Sequence, residues 1–148
     1  MSIKAFAAKI LAKKVYTQTQ KWVKNPIETQ QKVFNTLIRQ AESTQFGKDH
    51  NFSNIKSFED FAQRVPVRDY EQLKPYVDKV VAGESDILWK GKPLYFAKTS
   101  GTTSGAKHIP LTKESMPFHI QAAKNAILSY IHETGKADFV DGKMIFLQ

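Results

Sequence analysis

Leu94-Tyr95-Phe96-Ala97-Lys98-Thr99-Ser100-Gly101-Thr102-Thr103-Ser104-Gly105-Ala106-Lys107 is the stretch on which the reading of this chain turns. Leu94 to Ala97 is a short apolar and aromatic run, the composition of a strand. It passes without a break into nine residues holding five hydroxyl side chains, two glycines and a lysine. A strand that empties into such a loop is a place where side chains reach toward a ligand instead of into a core. Downstream, His108 to Leu111 forms a further short extended piece. Thr112 then has the position of an N-cap for a long helix, with Glu114 in its first turn and Pro117 still near its start. The face of that helix carries Ile120, Ala123, Ile127, Tyr130 and Ile131, and Gly135 ends it. Met144-Ile145-Phe146-Leu147 is an apolar strand candidate at the C-terminal end. Upstream of the loop, Ile87-Leu88-Trp89 is another, separated from Leu94 by the turn Lys90-Gly91-Lys92-Pro93.

Everything before Gly83 has helical texture. Ile3, Phe6, Ala7, Ile10 and Leu11 recur at helical spacing over residues 3–23, and their packing on the body of the protein is the expected arrangement, with the lysines solvated. Asn25-Pro26 marks a break, and a second helix from Pro26 to about Glu42 uses Ile27, Val33, Phe34, Leu37 and Ile38. Gly47 is assigned to the turn that follows. Ser57, with Asp60 three residues on, is an N-cap signature ahead of Phe58 and Phe61. Asp69 caps a short helix with Tyr70 and Leu73, and a helix continues after Pro75 through Val77, Val80 and Val81 to Gly83.

Helices followed by strands that alternate with a helix define an α/β chain with a mainly parallel sheet covered by helices. Two or three strands do not complete such a sheet, so the chain is read as the front part of a larger protein. Residues 1–24 form a basic amphipathic helix, and residues 25–148 the start of the larger domain. At 148 residues the length suits one domain. With no cysteine there is no disulfide framework, thiolate zinc site or cysteine nucleophile, and a reducing, cytoplasmic setting is expected.

The net charge of +8 has a local origin. Residues 1–24 contain Lys4, Lys9, Lys13, Lys14, Lys21 and Lys24 and no acid, leaving the remainder of the chain at only +2. A nucleic-acid surface would spread the excess along a face or groove, so no nucleic-acid partner is expected. No apolar stretch reaches the ~18 residues of a membrane span. A basic helix without acids does have the pattern of a membrane-surface helix or an organelle presequence. The plainer reading is a solvated helix docked by its apolar stripe, and peripheral membrane contact through residues 1–24 is left open.

The Thr99–Lys107 loop has the ingredients of an anion cradle. Glycines let successive backbone N–H groups turn toward one anion, hydroxyls add donors, and Lys107 supplies positive charge. The spacing is neither the Walker A pattern nor the dinucleotide fingerprint. On composition alone a plain surface connection remains open.

Those nine residues resemble the phosphate-binding loop of adenylate-forming enzymes, the superfamily of acyl-CoA synthetases and firefly luciferase, whose pattern is T-S-G-T-T-G-x-P-K. Ser104 stands here for the second glycine and Ala106 for the proline. Phe58-Glu59-Asp60-Phe61, Val65-Pro66-Val67-Arg68-Asp69-Tyr70, Gly83-Glu84, Ile87-Leu88-Trp89 and Ile109-Pro110-Leu111-Thr112 extend the likeness from about residue 26 to the end. Together they resemble the auxin-responsive-promoter (Gretchen Hagen) family of acyl-acid amido synthetases. The resemblance implies an incomplete part of the large adenylate-forming domain. It implies ATP and Mg²⁺ as cofactors, and a carboxylic acid and an amino acid as substrates. By the same resemblance Thr99, Ser100, Gly101, Thr102, Thr103, Ser104, Gly105 and Lys107 bind the ATP phosphates. Phe118, Ala122 and Ile127 on the following helix would line the acyl pocket, although core packing fits apolar residues at that spacing equally well.

No catalytic acid, base or nucleophile is assigned. His50, His108, His119 and His132 lack metal-ligand spacing and are read as solvated or hydrogen-bonded side chains, and no metal site is expected among the side chains. Taken alone, the chain is expected to be inactive, because the family's remaining nucleotide motifs and C-terminal domain lie outside it. The competing readings are a non-catalytic helical binding module that uses the basic first helix on a membrane or an acidic partner, and a nucleoside-triphosphatase of another kind.

Overall fold

The computed structural model describes residues 2–99 and 105–143. They form helices α1 (Ile3–Val23), α2 (Pro26–Ala41), α3 (Gln45–Asp49), α4 (Phe58–Arg64) and α5 (Tyr70–Val81), strands β1 (Tyr95–Thr99) and β2 (Lys107–Leu111), and helix α6 (Met116–Thr134). Single 3₁₀ turns lie at Phe52–Asn54 and Asp138–Asp141. The chain divides into two compact units, residues 1–29 with 117–148, and residues 30–116.

In the first unit, α1 and α6 meet through small and branched side chains. Ala5, Ala12, Val15, Leu128, Ile131 and Ala137 are buried together, and Ala8, Ile127 and Val140 pack against them. Ser2 caps α1 by accepting the Ala5 N–H, and its own hydroxyl donates to Asp141 Oδ1 at 2.8 Å. Tyr16 stacks on His132 with ring centroids 3.9 Å apart. This corrects the expectation for α1: the packed stripe is Ala5–Ala12–Val15, while Ile3 is 90% exposed, Phe6 55% and Ile10 59%. Small side chains on this face let the Asp138–Asp141 turn lie close against α1. Alanines carry little weight in a hydrophobic pattern, so the bulkier stripe wrongly claims the core face.

In the second unit, Ile38, Ala41, Phe52 and Ile55 form the buried centre, with Phe34, Phe46, Phe61, Val65 and Trp89 around it. Local capping sets the helix starts. Ser57 accepts the Asp60 N–H while Asp60 accepts the Ser57 N–H, and Asp69 and Gln72 do the same for α5. The Lys56 N–H foremost, with that of Ser57, holds the Asp60 carboxyl below its ordinary value. A depressed folded-state value means that this stabilisation is complete above the unfolded carboxylate value of about 4 and is lost as pH falls through the folded one. Acid titration followed by circular dichroism should therefore show helix loss beginning below about pH 4, at a lower pH midpoint than in Asp60→Asn, which lacks this step.

Helix α5 runs unbroken through Pro75 instead of stopping there, and Lys74 bridges Asp78 at 2.6 Å across that turn. Gly83 closes the helix at φ +91°. Thr112 caps a turn, not a helix: it accepts the Ser115 N–H, and α6 begins at Met116.

The sheet departs from expectation. Among the described residues it consists of β1 and β2 alone, paired antiparallel. Seven residues separate the two strands, and a parallel pair needs a crossover of about a dozen or more. Strand, loop and extended piece are therefore one hairpin. Ile87-Leu88-Trp89 is irregular backbone and not a strand, held where the Phe46 N–H donates to the Ile87 carbonyl at 3.0 Å. The fold is α-rich with a small sheet, the coarser form of an α/β domain. The expected strand at Met144–Leu147 lies outside the described residues.

Candidate functional site: the β1–β2 hairpin

The hairpin register pairs Tyr95 with Leu111, Phe96 with Pro110, Ala97 with Ile109, Lys98 with His108 and Thr99 with Lys107. The first and last candidate phosphate-binding residues thus face each other at the mouth of the loop. Directly opposed residues of an antiparallel pair hold their Cβ atoms about 4.5–5.5 Å apart, so Thr99 Oγ1 and the Lys107 stem can serve one ligand. Ser100, Gly101, Thr102, Thr103 and Ser104 lie outside the described residues. Gly105 has φ +82° and open space where a Cβ would project. Its glycine is required by backbone conformation and not by crowding.

Tyr70, the first residue of α5, fixes this hairpin to the helix layer. Its Oη accepts the His108 N–H at 2.8 Å, and Lys107 Nζ sits 5.4 Å from the centroid of its ring. That is cation–π range. Among the described residues Lys107 makes no ion pair with a carboxylate. Asp69 places Tyr70 by capping α5 one residue earlier. Tyr70 is the site residue that sequence reasoning misses. The N-cap signal locates it, but its role depends on a contact 38 positions away. Tyr70→Phe keeps the ring and removes the acceptor, and is expected to lower stability by about 1 kcal/mol in urea titration. Tyr70→Ala should cost more, since Lys107 also loses its seat.

Phosphate groups suit this hairpin. The Thr99 hydroxyl, the Lys107 ammonium and a left-handed glycine beside them are donors and conformations that accept an anion. No group of three histidine, aspartate or glutamate side chains that could hold a metal occurs among the described residues.

The acyl-pocket candidates lie on α6, in the other unit. Phe118 is 76% exposed and Ala122 is exposed, and the two are four residues apart on one face. Ile127 is turned to the packed side and contacts the Ala5–Ile131 core. The helix therefore does not bring the three together.

His50 and His108 have structural settings. His50 is buried, its Nδ1 is 2.7 Å from the Phe46 carbonyl oxygen, and its ring stacks on Phe46. Beside it the Tyr76 hydroxyl donates to Asp49 Oδ2 at 2.8 Å. Burial first, then the Asp49 carboxylate, raises the Tyr76 phenol. His108 meets Phe96 edge to face at 6.0 Å.

Comparison with known proteins agrees with the hairpin's sequence. The family model for the GH3 family N-terminal domain matches residues 15–147. The chain belongs to the GH3 family, the auxin-responsive group of the sequence resemblance. The indole-3-acetic acid-amido synthetase GH3.15 of Arabidopsis thaliana is 28% identical over 117 residues, covering 77% of this chain and 20% of that protein. Indole-3-acetic acid-amido synthetase GH3.2 of the same plant is 26% identical over 96 residues, 64% of this chain and 18% of the relative. The Arabidopsis 4-substituted benzoates-glutamate ligase GH3.12 is 44% identical over 48 residues, 32% of this chain and 8% of the relative. The chain thus spans at most about a fifth of the length of these curated relatives. No solved structure gives a significant match.

Proposed function

We propose that this chain is the N-terminal part of an ATP-dependent acyl-acid amido synthetase, and that residues 99–107 hold the phosphates of ATP. The observation that carries this reading is membership of the GH3 family over residues 15–147, a span that takes in the whole hairpin. The relatives are named as indole-3-acetic acid-amido synthetases, as a 4-substituted benzoates-glutamate ligase and, in Nicotiana attenuata, as a jasmonoyl-L-amino acid synthetase. A carboxylic acid with an apolar body and an amino acid are the corresponding substrates here. Phe118 and Ala122, exposed together on α6, are proposed to contact the acyl part, and Ile127 to serve the core.

The reaction needs an activated carboxyl group. In the first half the substrate carboxylate oxygen forms a bond to the α-phosphorus of ATP, and the bond to pyrophosphate breaks. In the second half the amino acid nitrogen forms the amide bond to the carbonyl carbon, and AMP departs with the former carboxylate oxygen. Charge accumulates on the leaving pyrophosphate, and that is where fixed donors lower the barrier. Lys107 and the hydroxyls of Thr99, Ser100, Thr102, Thr103 and Ser104 provide those donors, and Gly101 and Gly105 let the backbone approach. Bound Mg²⁺ would supply further positive charge at the phosphates. The full-length protein, given ATP, Mg²⁺, an amino acid and a panel of aryl and alkyl carboxylic acids, is expected to form AMP and the acid–amino acid conjugate in equal amounts. ADP as the nucleotide product, or ATP turnover that ignores both substrates, would refute the assignment.

A further inference from the structure

We infer that α1 docks this protein on an anionic lipid membrane through its outward face. The helix is apolar on two opposite sides. One side, Ala5–Ala12–Val15, is consumed by the core of its own unit. The other presents Ile3, Phe6 and Ile10, roughly opposite on a helix of about 3.6 residues per turn, with Ile3 90% exposed. Lys13, Lys14, Lys21 and Lys24 continue the same outward stripe toward the C-terminal end, all of them exposed. Ile10, Lys13, Lys14, Thr17, Gln18 and Lys21 border a shallow groove of about 460 Å³.

Charge complementarity selects the occupant. Residues 1–24 carry six lysines and no acid, so the stripe has no internal counter-charge of its own to satisfy it. Protruding, widely spaced Ile and Phe side chains at one end, with lysines beyond them, fit a fluid interface that closes around each side chain. A folded acidic partner would need a matching surface for each of them. A helix lying in the interface buries its apolar side chains at the acyl boundary and keeps its lysine ammoniums among the phosphates, with their stems reaching along the apolar level. No described helix is long and apolar enough to cross a membrane, so the contact is peripheral. Such docking would keep the protein beside a membrane surface, a property separate from ligation at the hairpin.

The test is co-sedimentation of the full-length protein with vesicles of phosphatidylcholine and phosphatidylserine in a three-to-one ratio, and with phosphatidylcholine alone. The expected result is binding to the anionic vesicles that weakens as salt is raised. Lys13→Gln with Lys21→Gln should weaken it by about fivefold per lysine. Ile3→Ser, Phe6→Ser and Ile10→Ser together should reduce it at least tenfold, with an unchanged melting temperature because these side chains are not in the core. Equal binding to both vesicle types, no binding, or binding indifferent to the apolar substitutions would overturn the inference. So would a fall in melting temperature for the triple variant, which would place the stripe against the rest of the protein. A dimer in sedimentation that the same variant dissociates would assign the face to a second copy and overturn it equally.

Discussion

Lys107→Ala in the full-length protein is expected to slow carboxylate-dependent exchange of pyrophosphate into ATP by about ten- to a hundredfold, the rate equivalent of one charge-assisted hydrogen bond worth roughly 1.5–3 kcal/mol. Thr102→Val should cost a similar factor. The fold should hold in both. The contact of Lys107 with the Tyr70 ring is the only described interaction that the substitution removes, and a cation–π pair at an accessible site contributes about 0.5–1 kcal/mol. Gly101→Val should be worse than either, because a β-branched side chain blocks close backbone approach or forbids a positive φ. Gly105→Ala adds a backbone cost: no protein atom lies within 4 Å of its Cβ position, but φ is +82°, so a modest loss of stability is expected beside the loss of exchange. Exchange at the parent rate in Thr102→Val and Lys107→Ala, or loss only in step with unfolding, would make the loop a structural connection.

The second large effect concerns Gly47. Helix propensity alone makes Gly47→Ala a gain of about 1 kcal/mol. The structure reverses that sign. A Cβ at Gly47 would lie 2.1 Å from the Ala41 carbonyl oxygen and 3.0 Å from that of Glu42. Both obstacles are backbone, so no side chain can swing away. The same Ala41 oxygen accepts the Thr44 hydroxyl at 2.6 Å, and Thr44 Oγ1 accepts the Gly47 N–H at 3.0 Å. Thr44 is fully buried. Separating α3 from the end of α2 therefore breaks a closed, desolvated set of bonds and pulls Phe46 from the aromatic cluster it forms with Phe52 and Tyr76. A loss of about 3 kcal/mol is expected, the upper range for overpacked sites, read as a lower urea midpoint. A midpoint at or above the parent's would show that the backbone yields more easily than this geometry implies.

How far the sequence can be read follows the range of the interactions. Ser57, Asp60, Asp69, Gly83 and Gly135 announce their roles because capping and left-handed helix ends depend on neighbours within a few residues. The helix of residues 26–41 follows from its periodicity for the same reason, whereas Pro75 divides residues 70–81 in the sequence and the structure carries a single helix through it. The hairpin's composition is legible and its pairing is not. Two strands of similar length look the same in a parallel and an antiparallel sheet, and only the short connection distinguishes them. Gly47 reads as a turn residue because it closes the Ser43–Gly47 segment after the periodicity of the second helix ends, whereas its actual constraint is a carbonyl six positions back. For α1, pattern weighting favours Ile and Phe over Ala, but close packing favours Ala. Of the candidate site, the motif names Thr99, Gly105 and Lys107, whereas Tyr70 comes only from the tertiary contact.

The most direct test of the central claim follows one oxygen atom. The full-length protein is supplied with a carboxylic acid labelled with heavy oxygen in the carboxyl group, together with ATP, Mg²⁺ and an amino acid, and the nucleotide product is analysed by mass spectrometry. Attack of the carboxylate on the α-phosphorus, followed by amide formation, leaves one labelled oxygen in AMP, and that is the expected result. Unlabelled AMP, or label recovered in inorganic phosphate alongside ADP, would contradict adenylation and remove the role assigned to residues 99–107.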